Sequence, residues 1–247
     1  MLPSLEDIER YAIFLDFDGT IVEIEDHPDA VRMEPSTLEL LKALQKRSRG
    51  ALAIISGREI AVVDRYLSPL RLPVAGVHGS QRRDAYGELH THAAFDLEPD
   101  TIKLEKRFAH AQGVVIERKV GAIALHYRLR PELERECCAA VAKIVEENSG
   151  LRMLRGKMVC EIAQNGHDKG GAISAFLSEP PFEGRIPLFA GDDATDEDGF
   201  VVVNARGGVS IKIGDQTTTA KYSASSVRDL KSWLNAYVFE PSGERGR

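Results

Sequence analysis

The sequence has few of the features that mark secreted, membrane and zinc-binding proteins. It contains no apolar run approaching the length of a membrane span, and its start lacks the charged-then-apolar pattern of a signal peptide. Cys137, Cys138 and Cys160 do not have the spacing of a zinc site or of a secreted disulfide framework, and we interpret them as small buried thiols. We therefore expect a cytoplasmic protein without a membrane partner.

An excess of positive charge is also absent. The chain has 32 lysines and arginines against 38 aspartates and glutamates, which gives a formal net charge of -6. General nucleic-acid binding draws most of its affinity from a basic surface, so we expect no nucleic-acid partner. The net charge does not exclude a phosphorylated substrate, because local groups set the field inside a cleft.

Internal repeats and low-complexity segments are absent as well, and the composition is typical of a globular protein. With 247 residues, of which 43% are hydrophobic and 28% charged, the chain suits one large domain or a core with a smaller inserted one. The sequence leaves the oligomeric state open, and a monomer is our expectation.

Short apolar runs alternate with helical patterns in both outer parts of the chain. Strands are predicted at 11–17, 51–55, 73–77, 186–190 and 209–213, and helices from Pro35 onward and at 59–67, 168–177, 196–204 and 227–237. Alternating strands and helices predict a parallel sheet with right-handed crossovers. The fold class is therefore α/β, with a Rossmann-like parallel-sheet core.

The middle of the chain follows a different pattern. It predicts a polar hairpin at 84–92, helices at 97–111 and 131–148, and strands at 114–118, 122–128 and twice within 151–163. Hairpins with two helices indicate a separate α+β unit inserted into the first fold. We therefore assign 1–82 and 162–247 to the core and 83–161 to an inserted cap, and we expect the tail at 240–247 to fray.

The segment Asp16-Phe17-Asp18-Gly19-Thr20 follows the first predicted strand. Ligands bind at the carboxyl edge of an open parallel sheet, and two carboxylates spaced i, i+2 point to the same side. Asp16 could attack phosphorus, and Asp18 could protonate the leaving oxygen and then activate water. Gly19 allows a sharp bend close to a ligand. The alternative is an ordinary Asp-Gly turn.

Two other sites follow predicted strands or begin predicted helices. Ser56, Gly57 and Arg58 offer a hydroxyl and free N–H groups for phosphate oxygens, although Ser56 alone is also typical of a helix N-cap. Lys169 lies near a helix N-terminus, where it opposes the helix dipole and thus indicates an anionic partner, with a solvated surface lysine as the alternative.

An acidic turn follows the strand predicted at 186–190. Asp192, Asp193 and Asp196 repel one another there, and a hard cation with oxygen ligands, such as Mg²⁺, would relieve the repulsion. The alternative is helix capping by Asp193 or Asp196. We favour the metal site because the turn follows a buried strand, as the nucleophile segment does. Phosphoryl transfer needs mainly positioning and charge neutralisation, and these segments would supply both at one sheet edge.

The order DxDGT, Ser, Lys and GDDxxD resembles the haloacid dehalogenase superfamily of phosphatases over about 11–80 and 165–237. The resemblance implies that Asp16 is the nucleophile and Asp18 the general acid/base, and that Ser56 and Lys169 bind the phosphoryl group. It further implies that Mg²⁺ is held by Asp16, the backbone carbonyl of Asp18 and Asp192, with Asp193 and Asp196 as further acids. The implied substrate-binding set is Asp16, Asp18, Gly19, Thr20, Ser56, Gly57, Arg58, His78, Lys157, Glu161 and Lys169.

A closer resemblance, to the trehalose-6-phosphate phosphatases, runs over nearly the whole chain. It is carried by AIISGRE, LPVAGVHGSQRRDAYG, ALHYR, GKMVCEI, DKGGAI and LFAGDDATDEDGFVVVN. It implies Mg²⁺-dependent hydrolysis of trehalose 6-phosphate to trehalose and phosphate, for trehalose biosynthesis, under a mobile cap. His78, Lys157 and Glu161 correspond to sugar-site positions of that family.

Several assignments remain open from the residues alone. The cap also carries Glu117 and His126, which suit sugar hydroxyls, while Arg118, Lys119 and Arg128 are interpreted as salt-bridge partners on a solvated face. The alternative functions are another sugar-phosphate phosphatase, acting for example on a sucrose or glycosyl-glycerate phosphate, a phosphomutase, and a non-catalytic sugar-phosphate sensor.

Overall fold

The computed structural model describes residues 2–27, 30–91 and 95–239. The tail at 240–247 and the end of the hairpin predicted at 84–92 therefore lie outside the described residues. Within them, no helix has both the length and the apolar character that crossing a bilayer requires.

The described chain forms strands and helices in the following order. The strands are β1 (Tyr11–Leu15), β2 (Leu52–Ile55), β3 (Val74–Gly76), β4 (Gln81–Arg83), β5 (Leu89–Thr91), β6 (Val115–Lys119), β7 (Ala122–His126), β8 (Leu151–Gly156), β9 (Val159–Gln164), β10 (Ile186–Gly191), β11 (Val209–Ile213) and β12 (Tyr222–Ala224). The α-helices are α1 (Pro35–Arg47), α2 (Ile60–Leu67), α3 (Glu98–Arg107), α4 (Glu134–Glu146), α5 (Lys169–Leu177), α6 (Glu197–Ala205) and α7 (Val227–Val238).

The larger sheet has eight strands in the order β12-β11-β10-β1-β2-β3-β4-β5. The strands from β12 to β3 are parallel, which confirms the predicted α/β class. The sequence did not predict β12, because its three residues lie among polar Thr and Ser residues that give no apolar run. The carboxyl ends of β1, β2, β10 and β11 all lie at one edge, which is where the candidate site forms.

Both faces of the larger sheet are buried. Successive residues of a strand point to opposite faces, so each face contributes to a different apolar cluster. In β1, Ile13 and Leu15 belong to one apolar cluster, which includes leucines of α1 and α7. Ala12 and Phe14 belong to another, with phenylalanines of α5, β10 and α6. Full burial on both sides leaves the strand ends as the place where polar groups meet a ligand.

The smaller sheet has four antiparallel strands in the order β6-β7-β9-β8. Its apolar side, with Ile123 and Ile162, joins residues of α3 and α4 in a cluster of its own. The alternate positions on the other side include Lys119 and Glu161, which line a cavity shared with the larger sheet. The sheet therefore covers the site with a polar face and keeps its apolar face inside.

The predicted boundary of the inserted unit needs correction at both ends. Strand β5 and the last residue of β4, Arg83, were placed in the insert from the sequence, but both strands extend the larger sheet, since β4 pairs antiparallel with β3. The short connection between β3 and β4 permits only this reversal of direction. At the other end, β9 continues to Gln164, beyond the predicted limit of 161. The division into two domains stays a prediction, with the cap better placed between α3 and β9.

Candidate active site

Asp16 lies directly after β1, and its position is fixed from three directions. Its backbone N–H donates to Ala190 O on β10 at 3.0 Å. Its side chain is buried, and it accepts from Thr20 Oγ1 at 3.2 Å and from Lys169 Nζ at 2.7 Å. Thr20 is fully buried, and its hydroxyl positions Asp16; the substrate contact predicted for Thr20 stays a prediction.

Lys169 begins α5, as predicted, and it is buried, so the alternative of a solvated surface lysine is wrong. Its ammonium donates to Asp16 Oδ1 and Asp196 Oδ1, each at 2.7 Å. Burial alone would lower the pKa of Lys169, but the two carboxylates hold it well above its usual value. The lysine therefore stays charged, next to the carboxylate that would receive a phosphoryl group.

The acidic turn after β10 contains the helix capping that was the alternative to a metal site in the sequence analysis. Asp193 and Asp196 form a capping box: Asp193 N donates to Asp196 Oδ2 at 2.9 Å, and the Asp193 side chain accepts from Ala194 N. Both oxygens of Asp196 are thus engaged, one by Lys169 and one by Asp193. Asp193 and Asp196 cap the helix, and Asp196 also holds Lys169; the metal role predicted for these two aspartates stays a prediction.

Asp192 has no such partner among the described residues. A ligand oxygen of Asp192, one of Asp16 and one of Asp196 all lie within 4.8 Å of one another. Burial raises the pKa of Asp192 to about 7, and the neighbouring carboxylates of Asp196 and Asp193 add to the rise. Burial also raises the pKa of Asp16 well above its usual range, although Lys169 opposes this.

This excess of buried negative charge fits a divalent cation with oxygen ligands. Gly19 leaves room for the Asp192 carboxylate, because a Cβ at residue 19, whose φ is +74°, would overlap that group. Asp16, Asp192 and Asp196 are the side chains whose oxygens lie close enough together to fit Mg²⁺. The ligand role of the Asp18 backbone carbonyl stays a prediction.

Asp18 and Arg58 form a two-pronged ion pair over the site. Arg58 Nε and Nη2 donate to the two carboxylate oxygens of Asp18 at 2.6 and 2.7 Å. The guanidinium also lies over the Phe17 and Tyr66 rings, 5.7 and 5.4 Å from their centroids. A proton-donating Asp18 must first release one of these hydrogen bonds.

Ser56 directly follows β2 and is buried. Its hydroxyl oxygen accepts from the Arg58 N–H at 3.0 Å, so its own proton remains free to donate. Neither Ser56 nor Gly19 lines the cavity, whereas Gly57 and Arg58 do. A direct phosphate contact by Ser56 therefore stays a prediction, and its visible role is to shape the Gly57–Arg58 loop.

His78 follows β3 in the left-handed region, at a φ of 52°. Its ring lies against the loop after β2: a Cβ on Gly57 would come within 2.8 Å of it. Its Nε2 is 3.2 Å from Glu161 Oε1 on the smaller sheet. His78 thus lies where the two sheets meet, and with Glu161 and Lys157 it lines the cavity, as the resemblance implied.

The polar face of the smaller sheet carries matched charges. Lys119 Nζ donates to Glu161 Oε2 at 2.8 Å, and His126 and Glu117 interact at 2.8 Å. Burial would raise the pKa of Glu161, but Lys119 and His78 hold it well below its usual range. Burial would likewise raise the pKa of Glu117, but the His126 ring lowers it.

The solvated-face interpretation is correct for one of the three basic cap residues. Arg118 pairs with Glu98 and Glu105 at 2.8 Å on an exposed surface. Lys119 and Arg128 instead line the cavity. Sequence reasoning also missed a loop on the opposite wall, because no motif or periodicity distinguishes it; its lining residues are Ile24, Glu25, Asp26 and Val31.

Comparison with known proteins gives a consistent result. The trehalose-phosphatase family model matches residues 14–232. The trehalose-6-phosphate phosphatase of Escherichia coli K12 is 43% identical over 227 residues, covering 91% of this chain and 85% of the relative. A probable trehalose-phosphate phosphatase of Sinorhizobium fredii is 41% identical over 210 residues, covering 84% and 79%.

A solved structure supports the fold. The C-terminal domain of the Candida albicans trehalose-6-phosphate phosphatase matches with a TM-score of 0.83 at 22% identity, covering 93% of each chain. The resemblance inferred from the motifs is therefore confirmed. The chain belongs to the trehalose-phosphatase family, whose members are phosphoric monoester hydrolases.

Proposed function

We propose that this protein is a Mg²⁺-dependent phosphatase that hydrolyses trehalose 6-phosphate through an aspartyl-phosphate on Asp16. The observation that carries the proposal is the cluster of Asp16, Asp192 and Lys169 at the carboxyl edge of the larger sheet. The names of the relatives support the substrate, and the matched charges of the smaller sheet suit an uncharged sugar. A monomer in the cytoplasm remains our expectation.

In the first half-reaction, an Asp16 carboxylate oxygen attacks phosphorus and the bond from phosphorus to the sugar oxygen breaks. Asp18 donates its proton to that sugar oxygen, which leaves as a trehalose hydroxyl. Lys169 neutralises part of the negative charge beside Asp16. Mg²⁺, held by Asp16 and Asp192, would neutralise charge on the phosphoryl oxygens.

In the second half-reaction, Asp18 takes a proton from a water molecule as that water attacks phosphorus. The bond between phosphorus and Asp16 breaks, so that phosphate leaves and both aspartates return to their starting state. Arg58 holds the Asp18 carboxylate over the site, which suits this base step. Arg58 must yield during the first half-reaction, and the arriving sugar phosphate is the group that would displace it.

The smaller sheet is proposed to supply substrate selection. Glu161 and Glu117 can accept hydrogen bonds from sugar hydroxyls, while Lys119 and Lys157 can donate to them. Glu161 is paired with Lys119, and Lys157 and Arg128 bring further N–H donors to the cavity. The site therefore favours a sugar with many hydroxyls.

The test is phosphate release from a panel of sugar phosphates with Mg²⁺, and again with EDTA. Trehalose 6-phosphate should be hydrolysed most efficiently, and EDTA should abolish release. Better turnover of a sucrose or glycosyl-glycerate phosphate would support a different sugar specificity. Recovery of an isomeric sugar phosphate would indicate a phosphomutase, and binding without release would indicate a sensor.

A further inference from the structure

The smaller sheet touches the larger sheet's loops through two turns, one at each of its ends. The first turn joins β6 to β7, and there Val120 N donates to Glu59 Oε1 at 2.8 Å. The second joins β8 to β9, and there Lys157 N donates to Asp193 Oδ2 at 3.2 Å. The strand register places the first turn beside Ala163 and the second beside His126, so the contacts bracket the sheet.

The carboxylate of Glu59 is available for this contact. Glu59 precedes α2 at the N-cap position, but its side chain makes no capping hydrogen bond. A negative charge is stabilised near a helix N-terminus, and from there it reaches a backbone N–H of the smaller sheet. Glu59 does not line the cavity, so it has no direct contact with a substrate there.

The second contact shows a close fit between the turn and the core. A Cβ on Gly156 would lie 2.7 Å from Asp193 Oδ2 and 2.7 Å from Val159 Cγ1, so a larger residue would force one of these side chains to shift. Arg128 Nη2 donates to Lys157 O at 2.9 Å and holds the turn from the side of β7. Met158 has a φ of 64°, a rare conformation for a residue with a side chain.

Both contacts fix the backbone beside a lysine that lines the cavity. Lys119 directly precedes the donor Val120, and Lys157 supplies the second donor itself. A shift of either turn would move the ammonium that projects from it. The two acceptors therefore control where the basic groups of the smaller sheet stand above the phosphate site.

We propose that Glu59 and Asp193 are positioning residues that dock the two ends of the smaller sheet and thereby set its selectivity for the sugar. The proposal rests on the proposed function for its kinetic consequence only. The docking itself is a property of the protein that can be measured without substrate.

The structural test is hydrogen–deuterium exchange of wild type, Glu59→Ala, Glu59→Gln and Glu98→Ala. Glu98 pairs with Arg118 on an exposed surface. Its replacement also removes one negative charge, but at a place distant from the docking contact. Glu59→Ala should speed exchange of the Val120 amide roughly three- to tenfold, as expected for the loss of one hydrogen bond. Glu59→Gln keeps a carbonyl acceptor and should restore part of the protection. Wild-type exchange in Glu59→Ala would overturn the proposal.

The kinetic test compares trehalose 6-phosphate with p-nitrophenyl phosphate, which has no sugar for the smaller sheet to bind. Glu59→Ala and Gly156→Ala should each lower kcat/KM for the sugar phosphate roughly three- to tenfold, with less than about a twofold change on the aryl phosphate. Glu98→Ala should change neither. Equal losses on both substrates would overturn the proposal, because they would indicate a general structural defect.

The two tests separate the proposal from the proposed function. If wild type released phosphate from a different sugar phosphate, the substrate assignment would fail, and the exchange experiment would still decide the docking. If Glu59→Ala did not fold, Gly156→Ala would carry the same comparison at the other turn. Unchanged exchange at 156–158 in Gly156→Ala would then count against docking.

Discussion

The two sheets hold buried charge in opposite ways. At the edge of the larger sheet, Asp16, Asp192 and Asp196 lie together with Lys169 as the buried cation, and the pKa of Asp192 rises to about 7 through burial and its acidic neighbours. On the facing side of the smaller sheet, Glu161 lies beside Lys119 and His78, and its pKa falls well below its usual range despite burial.

The difference indicates what each region is built to hold. An unbalanced acidic cluster is costly to bury until a cation joins it, which suits Mg²⁺ and a phosphoryl group. Paired donors and acceptors suit hydroxyl groups. The proposed function thus separates chemistry from sugar selection in space, and substitutions should reveal the separation.

The largest effect is expected at the nucleophile. Asp16→Asn keeps the shape of the side chain but removes the oxygen nucleophile, so kcat should fall by more than about a thousandfold. The loss should be the same for trehalose 6-phosphate and for p-nitrophenyl phosphate, since both use the larger sheet. The melting temperature serves as the control for folding. Substantial residual turnover by the pure variant would contradict the assignment of Asp16.

The second effect concerns the unbalanced charge at Asp192. Asp192→Asn should lower activity roughly ten- to a hundredfold. It should also remove the rise in melting temperature that Mg²⁺ produces. In wild type that rise should be larger at pH 8 than at pH 6, because a proton competes with the metal once the pH falls below the Asp192 pKa of about 7.

Asp193→Asn is the matched control for this second prediction. Because Asp193 caps a helix and docks the smaller sheet, its replacement should leave the stabilisation by Mg²⁺ in place. Loss of that stabilisation in Asp193→Asn would indicate that Asp193 is a metal ligand.

A smaller and selective effect is expected at Glu161. Glu161→Gln should lower kcat/KM for trehalose 6-phosphate roughly ten- to a hundredfold, which corresponds to the loss of one buried charged hydrogen bond. The aryl phosphate should change less than about threefold. Arg118→Ala, which alters an exposed side chain of the same sheet, is the control and should change neither value. Equal losses on both substrates would remove Glu161 from the sugar site.

The last effect is a pH dependence of stability. Because the pKa of Glu161 is lowered in the folded state, its contribution to the unfolding free energy is fully present above its unfolded pKa of about 4.3 and is lost as the pH falls through the folded value. Glu161→Gln should cost ~3 kcal/mol at pH 7. The gap between wild type and variant should shrink below about pH 4 in chemical unfolding experiments. A gap that is constant with pH would contradict the ion pair.

Several features were predictable because they are local. The apolar runs of β1 and β10 predict buried strands, and Asp16 and Asp192 follow them directly. The place of β4 and β5 in the larger sheet was not predictable, because the sequence of a hairpin does not show which other strand its edge pairs with. The capping role of Asp196 was weighed against metal binding, and the structure shows the capping hydrogen bond together with a contact to Lys169 that the sequence did not predict.

The sequence by itself determined the α/β class and the family and predicted the members of the phosphate site, since strand periodicity and the order of the motifs can be read along the chain. Only the tertiary structure decided which basic residues of the smaller sheet face the site. Arg118 and Lys119 are adjacent, and alternation along β6 places them on opposite faces without saying which face is covered. The docking of that sheet leaves Arg118 exposed and encloses Lys119 beside Glu161, because a face is buried only by what packs against it.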